Sequence, residues 1–293
     1  MDANLQNQDR NYNIISPTAK YVLLFKGNTE IPYARKVAEI ISLPEKYEPE
    51  TSQRDFAWWG RVVHLEERYN SINQLLFSQP HKNILELSSG YSFRGLDAIK
   101  DHDLYYIDTD LPELIGVKME LMKQLRDQGT AQQGKLEIVP LNALDEQQFT
   151  EVTSHFPDGE ITIVNEGLLM YLDIDEKKKL CANIRNALQK RGGCWITADI
   201  YIKTSQSFVQ LQANDKLTQL METLDVEKNK FESFEAAEEF FKNEGFVIDV
   251  EAAPGYANLP SLKYLLESAT KEQISTLGGV KKIHATWRLK LAN

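Results

Sequence analysis

The 293-residue chain is poor in cysteine and histidine, and neither residue type is spaced as a disulfide framework or a metal site requires. Its two cysteines, Cys181 and Cys194, fall in a predicted helix and a predicted strand and form no C-x-x-C pair. We therefore expect both to be reduced residues of the core. The five histidines are scattered without an H-x-x-x-H or H-E-x-x-H spacing, so the sequence predicts no metal site.

The chain also lacks an excess of positive charge and any long apolar run. Lys and Arg number 33 against 43 Asp and Glu, and this net charge of -10 argues against an extended nucleic-acid footprint or an anionic membrane partner. No stretch approaches the ~20 apolar residues needed to cross a bilayer. The first residues, MDANLQNQDR, have neither the basic nor the apolar region of a signal peptide. The sequence therefore predicts a cytoplasmic protein without nucleic-acid or membrane partners.

From residue 82 onward, short apolar runs alternate with longer segments of helical period, which is typical of an α/β sheet with crossover helices. We expect most of the strands to be parallel. The last one alternates cleanly between apolar and polar residues and is expected to be an antiparallel strand at the edge. Seven strands are predicted, at 82–88, 103–109, 135–140, 160–166, 193–200, 245–251 and 282–291.

Helical patterns account for most of the remaining chain. Residues 57–78 repeat apolar side chains at steps of three or four, which predicts an amphipathic helix facing the sheet. Residues 11–45 are expected to form shorter helices over the upper edge of the sheet. No linker divides the chain, so we expect one domain over 1–293, with a helical N-terminal cap at 1–80 and an α/β core at 81–293. A helical insertion is predicted at 204–232.

In open α/β sheets, ligands bind beyond the carboxyl ends of the strands. The first predicted strand ends in a turn whose Gly90 allows close approach of the backbone to a ligand. Ser88 and Ser92 stand where a dinucleotide fingerprint has glycines, so pyrophosphate binding is disfavoured. Asp108 follows Gly90 by 18 residues, close to the spacing of a ribose-binding acid, and Asp110 stands beside it.

Three polar residues at the ends of the predicted strands have either a simpler alternative role or a need for a partner. Asp110 followed by Glu113 fits a capping box, so a helix N-cap is its alternative role. Asn142 follows the third strand, where an amide and the backbone of Ala143 could face a purine, but it also suits an ordinary turn. Glu166 lies between an apolar strand and an apolar turn, where an unpaired carboxylate costs several kcal/mol. It therefore needs a cationic partner or a ligand.

These strings resemble the leucine carboxyl methyltransferase family, including its bacterial relatives described as polyketide-type O-methyltransferases. The likeness runs from about residue 16 to residue 200, and EGLLMYL is its most specific part. The matching strings are SPTA at 16–19, RYNSI at 68–72, ELSSGYSFR at 86–94, DTDLPE at 108–113, VPLN at 139–142 and EGLLMYL at 166–172.

The resemblance implies a Rossmann-like class I methyltransferase fold and S-adenosylmethionine as the cofactor. It also implies an O-methyltransferase whose acceptor is a hydroxyl or carboxyl group of a small molecule. Gly90 would approach the cofactor, and Asp110 with Asp108 would hold its ribose. Lys26 and Arg68 would meet the methionine carboxylate. The positions expected around the cofactor are Lys26, Arg68, Glu86, Gly90, Asp108, Asp110, Asn142, Ala143 and Glu166.

The same likeness puts Asn142 and Ala143 beside the adenine and Glu166 under the methionine part. Tyr171 and Tyr201 lie just past the fourth and fifth strands and are expected to border the acceptor pocket. Packing against the helical cap is the alternative role of both tyrosines.

The chain departs from the family's usual pattern at two positions of interest. The glycine-rich turn of the family is usually G-A-G, and here it is Ser88-Ser89-Gly90. Asn142 replaces the usual acid of the third motif. These departures keep open a catalytically silent binding protein that retains the fold. A nicotinamide-dependent oxidoreductase is a further alternative, which the missing second glycine opposes.

A general base is the one catalytic part that the sequence does not indicate. His64 is expected on the flank of the helix at 57–78, and His81 and His102 adjoin the starts of strands, at the wrong end of the sheet. A carboxylate acceptor needs no general base, whereas a hydroxyl acceptor does. The sequence therefore favours an acidic oxygen as the methyl acceptor.

Overall fold

All seven predicted strands are present in the computed structural model, which describes residues 16–42, 54–125, 132–203, 216–277 and 282–292. Each strand lies within one or two residues of its predicted bounds. The strands are β1 (Asn83–Leu87), β2 (Tyr105–Asp110), β3 (Lys135–Pro140), β4 (Ile161–Asn165), β5 (Gly193–Tyr201), β6 (Phe246–Glu251) and β7 (His284–Leu291).

The seven strands form one sheet in the order β3-β2-β1-β4-β5-β7-β6. The pairs from β3 to β5 are parallel, and β7 pairs antiparallel with both β5 and β6. The antiparallel strand is thus the last one, as expected, but it lies next to the edge strand β6 rather than at the edge itself. The chain order reverses between β1 and β4, so their carboxyl ends lie beside a topological switch point, where such sheets bind ligands.

Helices cover the sheet and the ligand-binding edge. The helix predicted at 57–78 is α3, and α1 and α2 are the shorter helices expected above it; residues 11–15 and 43–45 of that prediction lie outside the described residues. The helices are α1 (Ser16–Lys26), α2 (Ala34–Ser42), α3 (Phe56–Leu76), α4 (Arg94–Asp101), α5 (Pro112–Leu125), α6 (Glu146–Ser154), α7 (Ile174–Arg191), α8 (Lys216–Thr223), α9 (Phe234–Asn243), α10 (Leu262–Ser268) and α11 (Lys271–Leu277).

The core lies on both faces of the sheet because the central strands are apolar on both sides. Along β1, Leu85 and Leu87 pack with α6, α7 and α9, whereas Ile84 faces α3 and α4. The two cysteines are buried, unpaired residues of this core, as predicted. Within the described ranges, no helix is long and apolar enough to cross a membrane.

The D-x-x-E spacing of Asp173 and Glu176 predicts a capping box, as does that of Asp110 and Glu113, and the structure contains one of the two. Asp173 accepts hydrogen bonds from the first turn of α7, and Glu176 returns one to the backbone of Asp173, so that box is confirmed. The box predicted at Asp110 is wrong, because α5 begins at Pro112 and the Asp110 carboxylate accepts from the neighbouring Leu111 and from Gly90 instead. Of the insertion predicted at 204–232, residues 204–215 lie outside the described part, and α8 is helical as expected.

Candidate functional site

A cavity of about 1300 Å³ lies at the carboxyl ends of β1 to β5. The cap helices α1, α3 and α8 form its other walls. Small-molecule pockets usually measure about 300–1000 Å³, so this cavity has room for a cofactor and a second ligand together. Eight of the nine residues predicted around the cofactor line it, and so do Tyr171 and Tyr201; the exception is Asp108.

The turn after β1 and the end of β2 meet at one wall of the cavity. Gly90 has a φ of +57°, a conformation that glycine adopts without strain. Its N–H donates to Oδ2 of Asp110 at 2.8 Å, and the N–H of Leu111 donates to Oδ1 at 2.7 Å. Burial raises the pKa of Asp110, and these two N–H groups oppose the shift. A carboxylate has about four lone pairs, so Asp110 can accept further hydrogen bonds from a ligand.

Asp108 does not face the cavity. Its carboxylate lies 2.6 Å from the ammonium group of Lys118, and both side chains are almost completely buried. It also accepts a short hydrogen bond from the hydroxyl of Ser89, and Lys118 donates to the same hydroxyl at 2.7 Å. Asp108 thus ties the Ser89-Gly90 turn to β2 and α5, which makes it a positioning residue for the turn rather than a ribose ligand.

Glu166 binds three cations at the end of β4. Its Oε1 lies 2.5 Å from Nζ of Lys26 and 3.1 Å from Nε of Arg68, and its Oε2 lies 2.7 Å from Nη2 of Arg94. Burial alone would raise the pKa of Glu166, but the three cations outweigh it and hold this pKa well below its usual range. The expectation that this carboxylate needs a cationic partner is confirmed.

Glu86 completes what we call the cation cluster, which consists of Lys26, Arg68, Arg94, Glu86 and Glu166. Glu86 accepts from Arg94 at 3.3 Å and from the hydroxyl of Tyr106 at 2.6 Å. Three cations thus face two carboxylates, and the cluster carries one surplus positive charge. Lys26, Arg68, Glu86 and Glu166 all line the cavity, so two cations and two carboxylates of the cluster can contact a ligand.

The loops after β3 and β4 add polar groups that are already partly satisfied. Asn142 accepts from the N–H of Leu144 at 3.1 Å through its side-chain oxygen, and the carbonyl of Ala143 accepts from Asn183 at 2.9 Å. The hydroxyl of Tyr171 donates to Thr18 at 3.1 Å. Both residues of the 142–143 loop line the cavity, as does Tyr171.

A buried carboxylate that sequence reasoning missed holds the loop after β4. Asp199 accepts from the backbone N–H groups of Gly167, Leu168 and Leu169 at 2.6, 2.7 and 3.1 Å. Burial raises the pKa of Asp199, whereas Arg68 and the three N–H groups oppose this. The acid fixes the turn that presents Glu166 to its cations.

The other end of the cavity, which we call the histidine end, consists of His64, Glu67, Tyr201 and His284. The ring centroid of His284 lies 5.2 Å from that of His64 and 4.6 Å from that of Tyr201. Nη1 of Arg68 donates to the Tyr201 hydroxyl at 3.2 Å, and Nε2 of His64 lies 2.7 Å from the same oxygen. A guanidinium only donates, so the phenol accepts from Arg68, and its own proton can be donated to Nε2 of His64.

The placement of His64 corrects the sequence-based expectation of a flank residue. The side chain lines the cavity, and burial, followed by the charges of His284 and Arg68, holds the pKa of His64 well below its usual range. The available signal was the spacing on α3. Gly60, His64, Glu67 with Arg68, and Ser71 recur at three- and four-residue steps and form one face that lines the cavity.

Glu67 is 6% exposed, and its Oε2 has no hydrogen-bond partner among the residues that the structure describes. Nδ1 of His284 lies 3.9 Å from this oxygen. Burial raises the pKa of Glu67 to about 7, and Arg68 opposes the shift. Over the described ranges, no three His, Cys, Asp or Glu side chains are grouped as a metal site requires.

Comparison with solved structures finds proteins of the same fold at low sequence identity. A DUF574 family protein from Streptomyces avermitilis is 13% identical, covers 95% of this chain with 97% of its own, and has a TM-score of 0.52. The mitomycin 7-O-methyltransferase MmcR is 12% identical, with coverage of 97% and 69% and a TM-score of 0.47. Magnesium protoporphyrin IX methyltransferase from Synechocystis, solved with bound SAH, is 8% identical, with coverage of 89% and 98% and a TM-score of 0.48.

No protein-family model matches the chain, and no curated protein matches it. The likeness to the DUF574 protein shows a shared fold. Together with the seven-stranded, mostly parallel sheet, it confirms the expected Rossmann-like α/β fold.

Proposed function

We propose that this chain is an S-adenosylmethionine-dependent methyltransferase that methylates an oxygen of a small molecule. The observation that carries the proposal is the arrangement of two sites in one cavity. The cation cluster places the N–H groups of Lys26 and Arg68 in the cavity wall at the end of β4, and Asp110 presents a carboxylate with free lone pairs beside Gly90. The amino-acid carboxylate and the ribose diol of the cofactor match these two sites in charge and in hydrogen bonding.

The residues of the chain would divide the cofactor between them. Lys26 and Arg68 bind the methionine carboxylate, and Glu166 keeps both cations in place. Asp110 accepts hydrogen bonds from the ribose hydroxyls, and the positive φ of Gly90 lets the backbone approach without a side chain. The likeness to the leucine carboxyl methyltransferase family supports these assignments.

Adenine would lie at the loop after β3, beside Asn142 and Ala143, which line the same cavity. The bound cofactor supplies a methyl group that its sulfonium already activates. The chain's task is therefore to bind, orient and exclude water more than to provide covalent catalysis. The rest of the cavity, bordered by Tyr171 and Tyr201, would hold the acceptor.

Calorimetry with S-adenosylhomocysteine tests this function. We expect binding by the wild-type protein and a loss of about 10- to 100-fold in Asp110→Ala, because charge-assisted hydrogen bonds are worth about 1.5–3 kcal/mol. Gly90→Val should also weaken binding, since valine does not tolerate a φ of +57°.

The matched control is Asp108→Asn, which changes the neighbouring acid that does not face the cavity. We expect it to lower the free energy of unfolding, because Lys118 loses its buried partner, while folded protein keeps most of its affinity. Absence of wild-type binding at millimolar S-adenosylhomocysteine would overturn the proposed function. Equal losses of affinity in Asp108→Asn and Asp110→Ala would overturn the division of roles between the two acids.

A further inference from the structure

The histidine end contains a buried carboxyl group that the cofactor assignment does not use. Glu67 lies on the face of α3 that lines the cavity, one residue before the Arg68 of the cation cluster. Arg68 donates to Glu166 and Tyr201, and in the described part of the chain no group donates a hydrogen bond to Oε2 of Glu67. Buried polar atoms in native proteins are almost always paired, so an unpaired carboxyl oxygen in a cavity wall indicates a missing ligand group.

The protonation of His284 defines what that ligand group must be. Nε2 of His284 lies 2.7 Å from the carbonyl oxygen of Ala198. A carbonyl can only accept, so Nε2 carries the proton and the neutral ring has its lone pair on Nδ1. Burial lowers the pKa of His284 to about 4, which keeps the ring neutral at pH 7. Nδ1 therefore faces Oε2 of Glu67 as a second acceptor, at 3.9 Å.

A distance of 3.9 Å is too long for a direct hydrogen bond, so Oε2 of Glu67 needs a donor from a ligand. A hydroxyl group has one proton and can donate it to the ionised Oε2, whereas a ligand carboxylate would meet Glu67 with like charge. The surrounding wall suits an apolar and flat ligand, because the rings of His64, Tyr201 and His284 lie together. Met170 and Met221, which also line the cavity, pack in one apolar cluster with Tyr201.

We propose that Glu67, together with His284, binds the hydroxyl group of an aryl alcohol and takes its proton, which makes this group the methyl acceptor. The inference rests on the proposed methyltransferase function for the methylation of this oxygen. The binding of the hydroxyl group does not depend on that function. The O–H bond breaks, its electron pair stays on the ligand oxygen, and the proton forms a new bond to Oε2 of Glu67. Glu67 is then the general base that the sequence did not indicate, and the preference for an acidic acceptor is reversed.

Other groups near Glu67 are consistent with this role. Arg68, the next residue on α3, stabilises the charged carboxylate, and His284 on β7 contributes a neutral ring. From the loop after β6, Tyr256 also faces Glu67, whose charge adds to burial in raising the pKa of this phenol to about 12. Among the described residues, Arg68 is the charged group that acts on the pKa of Glu67, and it favours the ionised form, so Glu67 can ionise and accept a proton.

Calorimetry with matched probes tests the binding site. The probes are 2-naphthol and 4-phenylphenol, each compared with its carboxylate counterpart, 2-naphthoate or 4-phenylbenzoate, on protein saturated with S-adenosylhomocysteine. We expect at least one alcohol to bind about ten-fold more tightly than its carboxylate. In Glu67→Gln this affinity should fall about ten-fold, whereas the affinity for S-adenosylhomocysteine should stay unchanged.

Glu222→Gln is the matched control, because Glu222 also lines the cavity but lies exposed on α8. It should bind every probe as the wild type does. Tighter binding of the carboxylates, an unchanged alcohol affinity in Glu67→Gln, or no alcohol binding at millimolar concentration would overturn the proposal. If the alcohol binds in a Glu67-dependent way but S-adenosylhomocysteine does not bind, the result supports the proposed hydroxyl-binding site and overturns the proposed methyltransferase function.

The rate of methylation tests the proton transfer separately. With S-adenosylmethionine and the better-binding alcohol, the wild-type rate should rise with pH as Glu67 ionises, and Glu67→Gln should be about 100-fold slower in kcat or more. A Glu67→Gln rate equal to that of the wild type, or no methylation of an alcohol that binds, would contradict this role of Glu67.

Discussion

The two ends of the cavity treat buried charge in opposite ways. At the cation cluster, both oxygens of Glu166 are paired, with three cations around one carboxylate. At the histidine end, Oε2 of Glu67 has no partner in the described structure. A buried polar network in which every group is paired rigidifies its surroundings, and it suits a ligand that is the same in every reaction. A buried group without a partner is tolerated where a bound ligand pairs with it. The difference supports the proposal that the cofactor binds at the cation cluster and the acceptor at the histidine end.

The largest expected effect is a loss of stability in Glu166→Gln, which removes the charge that the three cations of the cluster share. The amide keeps one acceptor oxygen but turns a donor toward a cation, so buried charge is left uncompensated. We expect the free energy of unfolding, measured with urea, to fall by about 3–5 kcal/mol.

Glu120→Gln is the control for this loss, since Glu120 forms an exposed pair with Lys123 one helical turn away. It should change the free energy of unfolding by less than about 0.5 kcal/mol. A loss of similarly small size in Glu166→Gln would show that the cluster does not depend on its central carboxylate.

The same substitution at Glu67 should act in the opposite direction. The folded-state pKa of about 7 exceeds the ordinary value of 4.5, so the folded protein binds an extra proton between these pH values. Wild-type stability from this group therefore falls as pH rises through that window, by up to about 3 kcal/mol. Glu67→Gln should match the wild type near pH 4 and be more stable at pH 8, as measured by urea unfolding at both pH values.

His284 contributes a pH dependence of the opposite sign. Its pKa of about 4 in the folded protein lies below the ordinary 6.5, so the unfolded chain binds the extra proton and stability rises with pH between these values. This contribution is present in both proteins, and the difference between wild type and Glu67→Gln isolates Glu67. Equal stability of the two at pH 8 would mean that Glu67 is paired in solution.

Tyr201 connects the two ends, because its hydroxyl accepts from Arg68 and contacts His64. Tyr201→Phe should cost about 1–3 kcal/mol of unfolding free energy, since it leaves polar atoms of both residues unsatisfied. Nitrogen NMR of the wild type should show His64 protonated on Nδ1, and this preference should weaken in the variant. Tyr171→Phe, which removes a hydroxyl that donates to Thr18, is the matched control and should leave the His64 signals unchanged.

The sequence predicted the cation-cluster end of the site far better than the histidine end, for a physical reason. Strand tips in a parallel sheet share one edge, so Asp110 and Glu166 could be brought together from strand order alone. The inward turn of Asp108 could not be predicted, because it depends on Lys118 reaching across from α5. Which of two neighbouring acids faces a ligand is decided by side-chain packing, which the strand pattern does not encode.

Tyr201 was predicted at the pocket, but His64, Glu67 and His284 of the histidine end were missed because they come from elements that are distant in sequence. His64 and Glu67 lie on α3, whereas His284 lies on β7, at the other end of the chain. A single histidine on an amphipathic helix carries little information. The polar spacing on α3 becomes meaningful only when β7 is inserted beside β5 and places His284 opposite that face.

The smallest expected effect concerns backbone strain in the turn after β1. Ser88 has a φ of +50°, where a residue with a Cβ pays about 1–2 kcal/mol, and the resembling family has glycine at this position. Ser88→Gly removes that strain but gives the unfolded chain more freedom, worth about 0.4–1 kcal/mol. The net gain in unfolding free energy should therefore be about 0.5 kcal/mol, measured by urea unfolding. S-adenosylhomocysteine affinity should be unchanged or slightly higher.

Ser92→Gly is the comparison, because Ser92 has no positive φ and its hydroxyl accepts from the N–H of Arg94 at the start of α4. Glycine there gains nothing from relief of strain and loses the hydrogen bond, so the free energy of unfolding should fall by about 0.5–1.5 kcal/mol. A loss of the same size in Ser88→Gly would mean that the Ser88 side chain offsets its own strain through contacts in the cavity wall. The Ser88 side chain would then stabilise the turn after β1, and Ser88 would belong among the residues that shape this wall of the cavity.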